Sequence, residues 1–413
     1  MSAARSGLPT GLARWLLPIG GVRLVLGNFR ALEPAHEKTQ AECLAWLAAA
    51  HARAEATRAA GLGRACDEER FRAEMARRLA RFGCGPDKIE SRGHEIADFE
   101  HTRFEDMEVY RLCDAPAGRG MLERTRVFAR VTEAALERLF ENVTRAPGDL
   151  VHVTCTGYDA PSAAQRLVAS RGWGAETRVT HAYHMGCYAA LPALRIAAGF
   201  LSVPRTLAPS GARRCEIVHT ELSTLHLNPL VHTAEQLVIQ SLFADGCIAY
   251  ALEREHERAS GGPGLALLAE EEHILSGTEQ AMTWTASDFG MQMTLAPTVP
   301  GSLAEALGGV VARLAARAEL SAMALGGALY AVHPGGPKVL DRVRAALRLD
   351  EAQIAGSRAL LRRRGNMSSA TLPHIWMDLV RDPTIVPGTL VVSLAFGPGL
   401  TVSAAVMQKT EAP

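Results

Sequence analysis

The order of strands and helices between residues 150 and 252 constrains the fold of this chain most. Short runs rich in apolar and β-branched residues alternate there with helical patterns. The runs predict strands at 150–154, 178–183, 215–220 and 247–252, and the patterns between them predict helices at 162–170, at 188–201 and up to Gln240. Strands that alternate with helices favour an α/β architecture with a partly parallel sheet.

Flanking segments extend this pattern in both directions. Helices are predicted at 35–60, 70–81, 125–143, 303–318 and 337–347, and strands at 22–26, 291–295, 327–332 and 389–395. Gly261, Gly262, Pro263 and Gly264 form a break in the pattern. We therefore expect two α/β halves, residues 1–260 and 261–413.

Composition and cysteine usage limit the classes of protein. The 44 basic and 44 acidic residues cancel, so a broad nucleic-acid-binding surface is not expected. The eight cysteines are scattered without a C-x-x-C pair, which is typical of free thiols in a reducing cytoplasm. The apolar stretch from Trp15 to Gly27 is broken by Pro18 and Arg23, and no cleavage site follows it. No segment is long enough to cross a bilayer, so we expect a soluble cytoplasmic protein.

Several familiar catalytic motifs are absent from the sequence. It contains no G-x-S-x-G, no Walker lysine loop, no H-E-x-x-H and no G-x-G-x-x-G. His181 and His184 would point to opposite faces of a strand, and His219, His226 and His232 lack consistent metal-ligand spacing. We therefore predict no metal site.

Cys187 is the first residue that indicates chemistry. In His184-Met185-Gly186-Cys187-Tyr188 a strand ends, a glycine permits a sharp turn, and the cysteine falls where an apolar helix begins. The positive end of a helix dipole stabilises a thiolate, which is the reactive form of cysteine. A buried structural cysteine explains the segment equally well at this point.

Two further segments carry polar groups on glycine-rich turns. His333 ends a predicted strand before Pro334-Gly335-Gly336-Pro337, where a general base or an oxyanion donor would be held rigidly. Asn366 lies in Gly365-Asn366-Met367-Ser368-Ser369, and its amide could stabilise an oxyanion without a change of charge. The alternatives are a turn histidine, a helix cap and an accidental N-x-S sequon.

Together these three segments resemble those of the chalcone synthase-like type III polyketide synthases and, more distantly, the ketoacyl carrier-protein synthase III enzymes. The resemblance covers roughly residues 20–405. Four shorter stretches support it, and they occur in the same order along the chain as in the family. They are Asp-Lys-Ile at 87–89, Gly-Tyr-Asp-Ala-Pro at 157–161, Leu-Phe-Ala-Asp-Gly at 242–246 and Phe-Gly-Pro-Gly-Leu-Thr-Val at 396–402.

The resemblance implies a thiolase fold, with two similar halves that form a five-layer αβαβα core, and a homodimer. It implies Cys187 as the acylated nucleophile, with His333 and Asn366 completing the site. It also implies no cofactor or metal, since the acyl chain arrives on the phosphopantetheine arm of coenzyme A or of an acyl carrier protein. A thiolate would attack a thioester, and the histidine and asparagine would donate to the oxygen of an enolate.

Some positions depart from the family's pattern. His226 and Met293 align with phenylalanines that gate the tunnel in chalcone synthases, and Ala160 aligns with a methionine that reaches across their dimer. These three residues predict a reshaped substrate tunnel. Glu221 matches the glutamate of a Ser-Glu pair in chalcone synthases and is either a base or, as the stronger alternative, a structural carboxylate. The basic residues that bind coenzyme A lack clear counterparts here.

A narrower resemblance concerns the segment from Cys187 to Arg195. It looks like the stand-alone ketosynthases of myxobacterial α-pyrone antibiotic pathways, the corallopyronin and myxopyronin type, which join two β-ketoacyl chains held on carrier proteins. The alternatives are decarboxylative extension with malonyl units and a non-catalytic acyl-binding or scaffold protein. The basic pairs and triplets are candidate docking residues for an acidic carrier protein, or simply solvated helix ends: Arg213, Arg214, Arg362, Arg363 and Arg364.

Overall fold

A computed structural model describes residues 23–258 and 262–411. The strands of this part are β1 (Leu24–Ala31), β2 (His36–Thr39), β3 (Ser91–His94), β4 (Pro147–Thr154), β5 (Arg178–Tyr183), β6 (Ala212–Leu222), β7 (Asp245–Arg254), β8 (Leu265–Ile274), β9 (Met282–Ala286), β10 (Met291–Leu295), β11 (Leu329–Val332), β12 (Leu390–Gly397) and β13 (Thr401–Lys409). The helices are α1 (Gln40–Gly61), α2 (Glu68–Phe82), α3 (Met121–Leu139), α4 (Ala163–Ser170), α5 (Ala190–Ser202), α6 (Ala234–Leu242), α7 (Val299–Arg317), α8 (Ala322–Gly326), α9 (Pro337–Leu347), α10 (Ala355–Arg364) and α11 (Thr371–Arg381).

Nine of the strands form one mixed sheet in the order β11-β12-β13-β8-β1-β7-β6-β4-β5. The pairs β4–β5, β4–β6 and β11–β12 are parallel, and the other neighbours are antiparallel. The strands that precede the predicted boundary at residue 260 lie on one side of the sheet, and those that follow it lie on the other. β1 and β8 meet between the two groups, over Leu24–Leu26.

The sheet is buried on both faces, as parallel strands covered by helices require. On β6, Ile217 packs into the central core while the next residue, Val218, packs under α3 and α4. Helices α7 and α9 cover the strands of the second half in the same way. Helices α5 and α11 fill the central core between strands of both halves. The two portions of this sheet thus enclose a central helical layer of α5 and α11, with α3 and α4 outside one portion and α7 and α9 outside the other, which makes five layers.

The predicted elements agree with the structure in type through most of the chain. The bounds predicted for β5, β10 and α9 coincide with those observed. The predicted helix at 35–60 is partly wrong, because residues 36–39 pair with β3 as a strand. The Thr39 side chain then caps α1 by accepting from the N–H of Glu42, and the Glu42 carboxylate accepts from the N–H of Thr39. The strand predicted from Val22 and the break at 261–264 each begin at a residue outside the described part of the chain. Most of the apolar stretch at 15–27 also lies outside it.

The strand predicted at 389–395 is not the last one. After Gly397 the chain turns through a proline and a glycine and returns as β13, antiparallel to β12. Helices α10 and α11 and strands β8 and β9 are also absent from the prediction. Within the described residues, no helix combines the length and the apolar character needed to cross a membrane.

Candidate active site

The turn between β5 and α5 presents Cys187. Gly186 has a φ of 79°, a left-handed conformation that glycine adopts without strain. A Cβ atom at Gly186 would lie only 2.8 Å from Cδ of Pro398, at the end of β12. The turn therefore needs glycine for its conformation and for its close contact with the second half of the chain.

A second glycine-rich turn, between β11 and α9, presents His333. Its N–H donates to the carbonyl of Leu394 at 2.7 Å, which extends the pairing of β11 with β12. The His333 side chain is buried, and neither ring nitrogen has a hydrogen-bond partner among the described residues. Burial lowers the pKa of His333 to about 3, so the imidazole is neutral at physiological pH.

Asn366 is held by its backbone against the end of α6. Its N–H donates to the carbonyl of Leu242 at 3.0 Å, and its carbonyl accepts from the N–H of Ala244 at 2.8 Å. Its side-chain oxygen accepts from the N–H of Ser368 at 2.9 Å, which assigns the amide orientation. The NH₂ group is then left as a donor, and the Asn366 side chain acts to lower the pKa of the Cys187 thiol.

The segment 242–244 brings the three turns together. Gly336, in the histidine turn, lies beside Leu242, and Phe243 pairs with Asn366 in a single β-bridge. Phe243 also lines a small cavity of about 30 Å³ next to Cys187. His333 and Asn366 do not line it; its lining residues are Cys155, Gly186, Cys187, Ser223, Phe243, Met282, Thr283, Trp284, Met293, Ser368 and Pro398.

The state of the Cys187 thiol differs from the prediction. The residue is partly exposed towards the cavity, yet burial raises the pKa of its thiol to about 12. The predicted stabilisation of a thiolate is therefore wrong for the resting site. Helix α5 begins only at Ala190, so Cys187 precedes it, and loss of water outweighs the opposing influence of the Ser368 and Asn366 side chains on the pKa.

Glu221 lies behind the cavity wall rather than in it. It is fully buried near the end of β6, where it accepts bonds from the N–H of Cys155 and the hydroxyl of Thr156, each at 3.1 Å. The hydroxyl of Ser369 donates to its other oxygen. Burial raises its pKa. This arrangement supports the structural alternative, because both carboxylate oxygens are occupied by donors.

The three predicted tunnel residues lie in different environments. Met293 lines the cavity. His226 does not, because Nε2 donates to the carbonyl of Thr156 at 2.7 Å and Nδ1 accepts from the N–H of Met291 at 3.1 Å. Ala160 is exposed on the loop after β4. His226 thus ties the hairpin of β9 and β10 to the body of the protein.

Two large residues of the cavity wall were missed by sequence reasoning. Phe243 belongs to the Leu-Phe-Ala-Asp-Gly segment, which signalled the family but gave no role for the ring. Trp284 lies on β9, which was not predicted, and its indole N–H donates to the carbonyl of Cys155 at 2.6 Å. No local pattern around Trp284 distinguishes it from an ordinary core tryptophan.

The predicted docking arginines form two separate groups, and each of them has an acidic partner. Arg213 and Arg214, at the start of β6, pair with Glu257 at 3.7 Å and Glu216 at 2.9 Å. They precede Glu221 by eight and seven strand residues, which at about 3.3 Å per residue places them roughly 25 Å from the site. The other group ends α10, directly before Gly365 and Asn366, and consists of Arg362, Arg363 and Arg364, which pair with Glu90, Asp378 and Glu33.

Comparison with known sequences identifies relatives with this architecture. Residues 266–411 match the C-terminal domain of chalcone and stilbene synthases. The chain is 30% identical over 260 residues to the protein named "Probable polyketide synthase 1" of Dictyostelium discoideum, covering 61% of this chain and 8% of that protein. It is 29% identical over 270 residues to type III polyketide synthase C of Arabidopsis thaliana, covering 64% of this chain and 67% of that protein. The chain thus spans only a small part of the first relative's length.

Comparison with solved structures identifies the fold. The structure of PKS-I from the brown alga Ectocarpus siliculosus superimposes with a TM-score of 0.77, covering 94% of this chain and 98% of that one at 20% sequence identity. This likeness confirms the predicted thiolase-type α/β fold. Together with the sequence relatives, it also confirms the predicted resemblance to the type III polyketide synthases.

Proposed function

We propose, from the premise that this chain is a type III polyketide synthase-like condensing enzyme, that it forms carbon–carbon bonds through an acyl-enzyme on Cys187. The observation that carries this proposal is that residues 242–244 contact both the histidine turn and Asn366, while Phe243 lines the cavity beside Cys187. Cys187 comes from the first half, and His333 and Asn366 come from the second. A non-catalytic acyl-binding protein would need none of these three groups in this arrangement.

The first step is transfer of an acyl group to Cys187. At rest the thiol is protonated and the His333 imidazole is neutral, so the imidazole is able to accept the thiol proton as a thioester enters. The sulfur attacks the thioester carbonyl, a new C–S bond forms, and the bond to the carrier thiol breaks. The proton returns to that leaving thiol.

The second step needs a carbon nucleophile. A thioester enolate carries negative charge on its oxygen, and two neutral donors aimed at that oxygen stabilise it. The NH₂ group of Asn366 is one donor, and an N–H of His333, whose ring nitrogens are free among the described residues, is the other. The enolate carbon attacks the acyl-enzyme carbonyl, and the thiolate of Cys187 leaves and is reprotonated.

For the substrates, we favour two β-ketoacyl thioesters that are joined head to head. The C2 hydrogens of a β-keto thioester lie between two carbonyls, so an enolate forms by transfer of one proton to a base, and that proton later reprotonates the departing Cys187 thiolate. The enol oxygen of the product then attacks the remaining thioester, which closes an α-pyrone and releases the carrier thiol. The alternative is an enolate made by loss of carbon dioxide from a malonyl thioester, for which the names of the polyketide synthase relatives argue.

Substrate entry requires a change in the cavity wall. A space of about 30 Å³ holds little more than a water molecule, whereas sites for organic ligands measure ~300–1,000 Å³. An acyl chain on Cys187 must therefore displace side chains of the β9–β10 hairpin or the ring of Phe243.

Both acyl carrier protein and coenzyme A remain proposed donors of the acyl chain. We also expect a homodimer, for which β5, the last strand of the sheet, offers an edge.

The acyl-enzyme is tested by mass spectrometry after incubation with an acyl thioester. One acyl mass per chain is expected, on the peptide that contains Cys187, and none in Cys187→Ala. An acyl-enzyme that persists in Cys187→Ala would overturn the proposal.

The two substrate schemes are separated by the products formed from β-ketoacyl thioesters with and without malonyl thioester. A pyrone formed without malonate supports the head-to-head scheme. A strict requirement for malonyl thioester, with release of carbon dioxide, replaces it by the decarboxylative one.

A further inference from the structure

Arg92 is a fully buried arginine that the proposed chemistry does not use. It follows Ser91 on β3, and its side chain is 1% exposed. Among the described residues it forms no ion pair with an aspartate or a glutamate. A buried guanidinium without a paired carboxylate is costly unless its N–H groups meet acceptors.

The main-chain acceptors of Arg92 lie at the end of α6. Nη1 donates to the carbonyl of Gln240 at 2.9 Å and to that of Phe243 at 2.7 Å, while Nε donates to the side-chain oxygen of Gln40 at 2.8 Å. Gln40 in turn donates to the carbonyl of Ser241 at 2.8 Å. The positive charge thus faces the negative end of the α6 dipole, which is favourable.

These bonds complete an unusual cap. The last carbonyls of a helix have no partners inside the helix and must find them elsewhere. Here Arg92 takes the carbonyl of Gln240, Gln40 takes that of Ser241, and the N–H of Asn366 takes that of Leu242. The backbone of Asn366 is therefore one member of the group that ends α6, and Arg92 is another.

Arg92 also contacts the Asn366 loop directly. Gly365 has a φ of 69°, and a Cβ there would lie 3.2 Å from Cγ of Arg92 and 3.0 Å from the carbonyl oxygen of Leu242. The arginine stem therefore packs against the residue that precedes Asn366. Phe243, whose carbonyl Arg92 binds, places its ring at the cavity and its backbone against Asn366.

We propose that Arg92 is a positioning residue for condensation. By fixing the end of α6 it fixes the amide of Asn366 and the ring of Phe243 relative to Cys187. This inference depends on the proposed function, because it assigns the Asn366 amide to the enolate oxygen. Arg92 itself is assigned no contact with the substrate or with the sulfur of Cys187.

The test compares two rates in Arg92→Met, which keeps an unbranched side chain and removes the donors. One rate is single-turnover acylation of Cys187, followed by intact-protein mass spectrometry. The other is product formation from the preformed acyl-enzyme. Condensation is expected to slow roughly 10- to 100-fold, as small misplacements of catalytic groups do, while acylation changes by less than about 3-fold. Arg92→Lys, which restores one donor and the charge, should recover part of the loss.

Arg124→Met is the matched control. Arg124 is equally buried and binds main-chain carbonyls, among them those of Arg119 and Ala117, but it lies away from Asn366. Its loss should lower the thermal midpoint without changing the ratio of the two rates. Equal slowing of acylation and condensation in Arg92→Met, or a ratio that matches that of Arg124→Met, would overturn the inference. Failure of the wild-type chain to form any acyl-enzyme would instead overturn the proposed function.

Discussion

The two halves of the molecule each place a reactive group on a strand–turn–helix unit, and they hold that group differently. Cys187, between β5 and α5, lies 3.8 Å from the hydroxyl of Ser368, which belongs to the other half. His333, between β11 and α9, has no hydrogen-bond partner for its ring among the described residues. Both groups are uncharged at rest because loss of water around them raises the pKa of the thiol and lowers that of the imidazole. The difference indicates that the protein itself orients the sulfur, whereas the imidazole is left for the substrate.

The largest expected effect concerns the Cys187 thiol. A pKa raised from 9.0 to about 12 leaves roughly a thousandth of the usual thiolate at neutral pH, since each unit is a factor of ten. Alkylation of the Cys187 peptide by iodoacetamide should therefore be slow and should rise about tenfold per unit between about pH 6 and 10. The partly exposed Cys66 serves as the internal reference.

The same experiment in His333→Ala sharpens the comparison. Because the structure holds both groups neutral, removal of the imidazole should leave the alkylation profile of Cys187 in place. A midpoint below pH 9 in the wild type that moves upward in His333→Ala would show a thiolate–imidazolium pair and would break the distinction between the two units.

Removal of either enolate donor should lower the rate of condensation by a somewhat smaller factor than the roughly thousand-fold reduction in thiolate. His333→Ala and Asn366→Ala are each expected to slow condensation by ~10²–10³-fold, the usual loss for one oxyanion donor. Rapid-quench measurement of product from a preformed acyl-enzyme checks this. His226→Ala is the matched control, because His226 is also buried with a pKa lowered to about 3 but both of its ring nitrogens are bonded. A selective loss of condensation in His226→Ala would return that residue to the active site.

The cavity wall offers a third contrast, since its bulky residues come mostly from the β9–β10 hairpin of the second half. Trp284→Ala should raise acylation by long-chain thioesters relative to short ones by about 10-fold, because it removes the largest side chain of a wall that leaves little space. Trp284→Phe keeps an aromatic ring of intermediate size and loses the bond to the carbonyl of Cys155. If both variants broaden chain length equally, the hydrogen bond rather than the bulk sets the limit.

The smallest effect is expected at the arginines. Neutralisation of Arg213 and Arg214 to Gln should change kcat/KM for carrier-bound substrate, per folded enzyme, by less than about 2-fold, because these residues lie roughly 25 Å from the site. Reversal of Arg362 and Arg363, close to Asn366, should lower it by a few fold at low salt and less at high salt. Kinetics with carrier-bound and coenzyme A-bound forms of one substrate are the measurement. Equal losses with both donors would remove carrier docking from both groups.

The sequence by itself determined the architecture and the three turns. Alternation of strand and helix patterns over residues 150–252 was sufficient for the α/β fold, because each pattern is a local property of the chain. The glycines around Cys187, His333 and Asn366 marked sharp turns for the same reason. Elements without a clean local pattern were lost, as with α11, where Pro373 lies in the first turn, and β13, which follows a Pro-Gly turn.

Only the tertiary structure decided how these groups behave. The ionisation of Cys187 could not be read from its place before a helix, because burial by residues distant in sequence raises the pKa of its thiol. The orientation of His226 could not be read from the sequence either. It aligns with a tunnel residue, but its bonds to Thr156 and Met291 hold it out of the cavity lining. Trp284 reaches the cavity through a hairpin, and Arg92 reaches Asn366 through the end of α6. Each of these contacts joins segments far apart along the chain, and local pattern carries no information about such pairs.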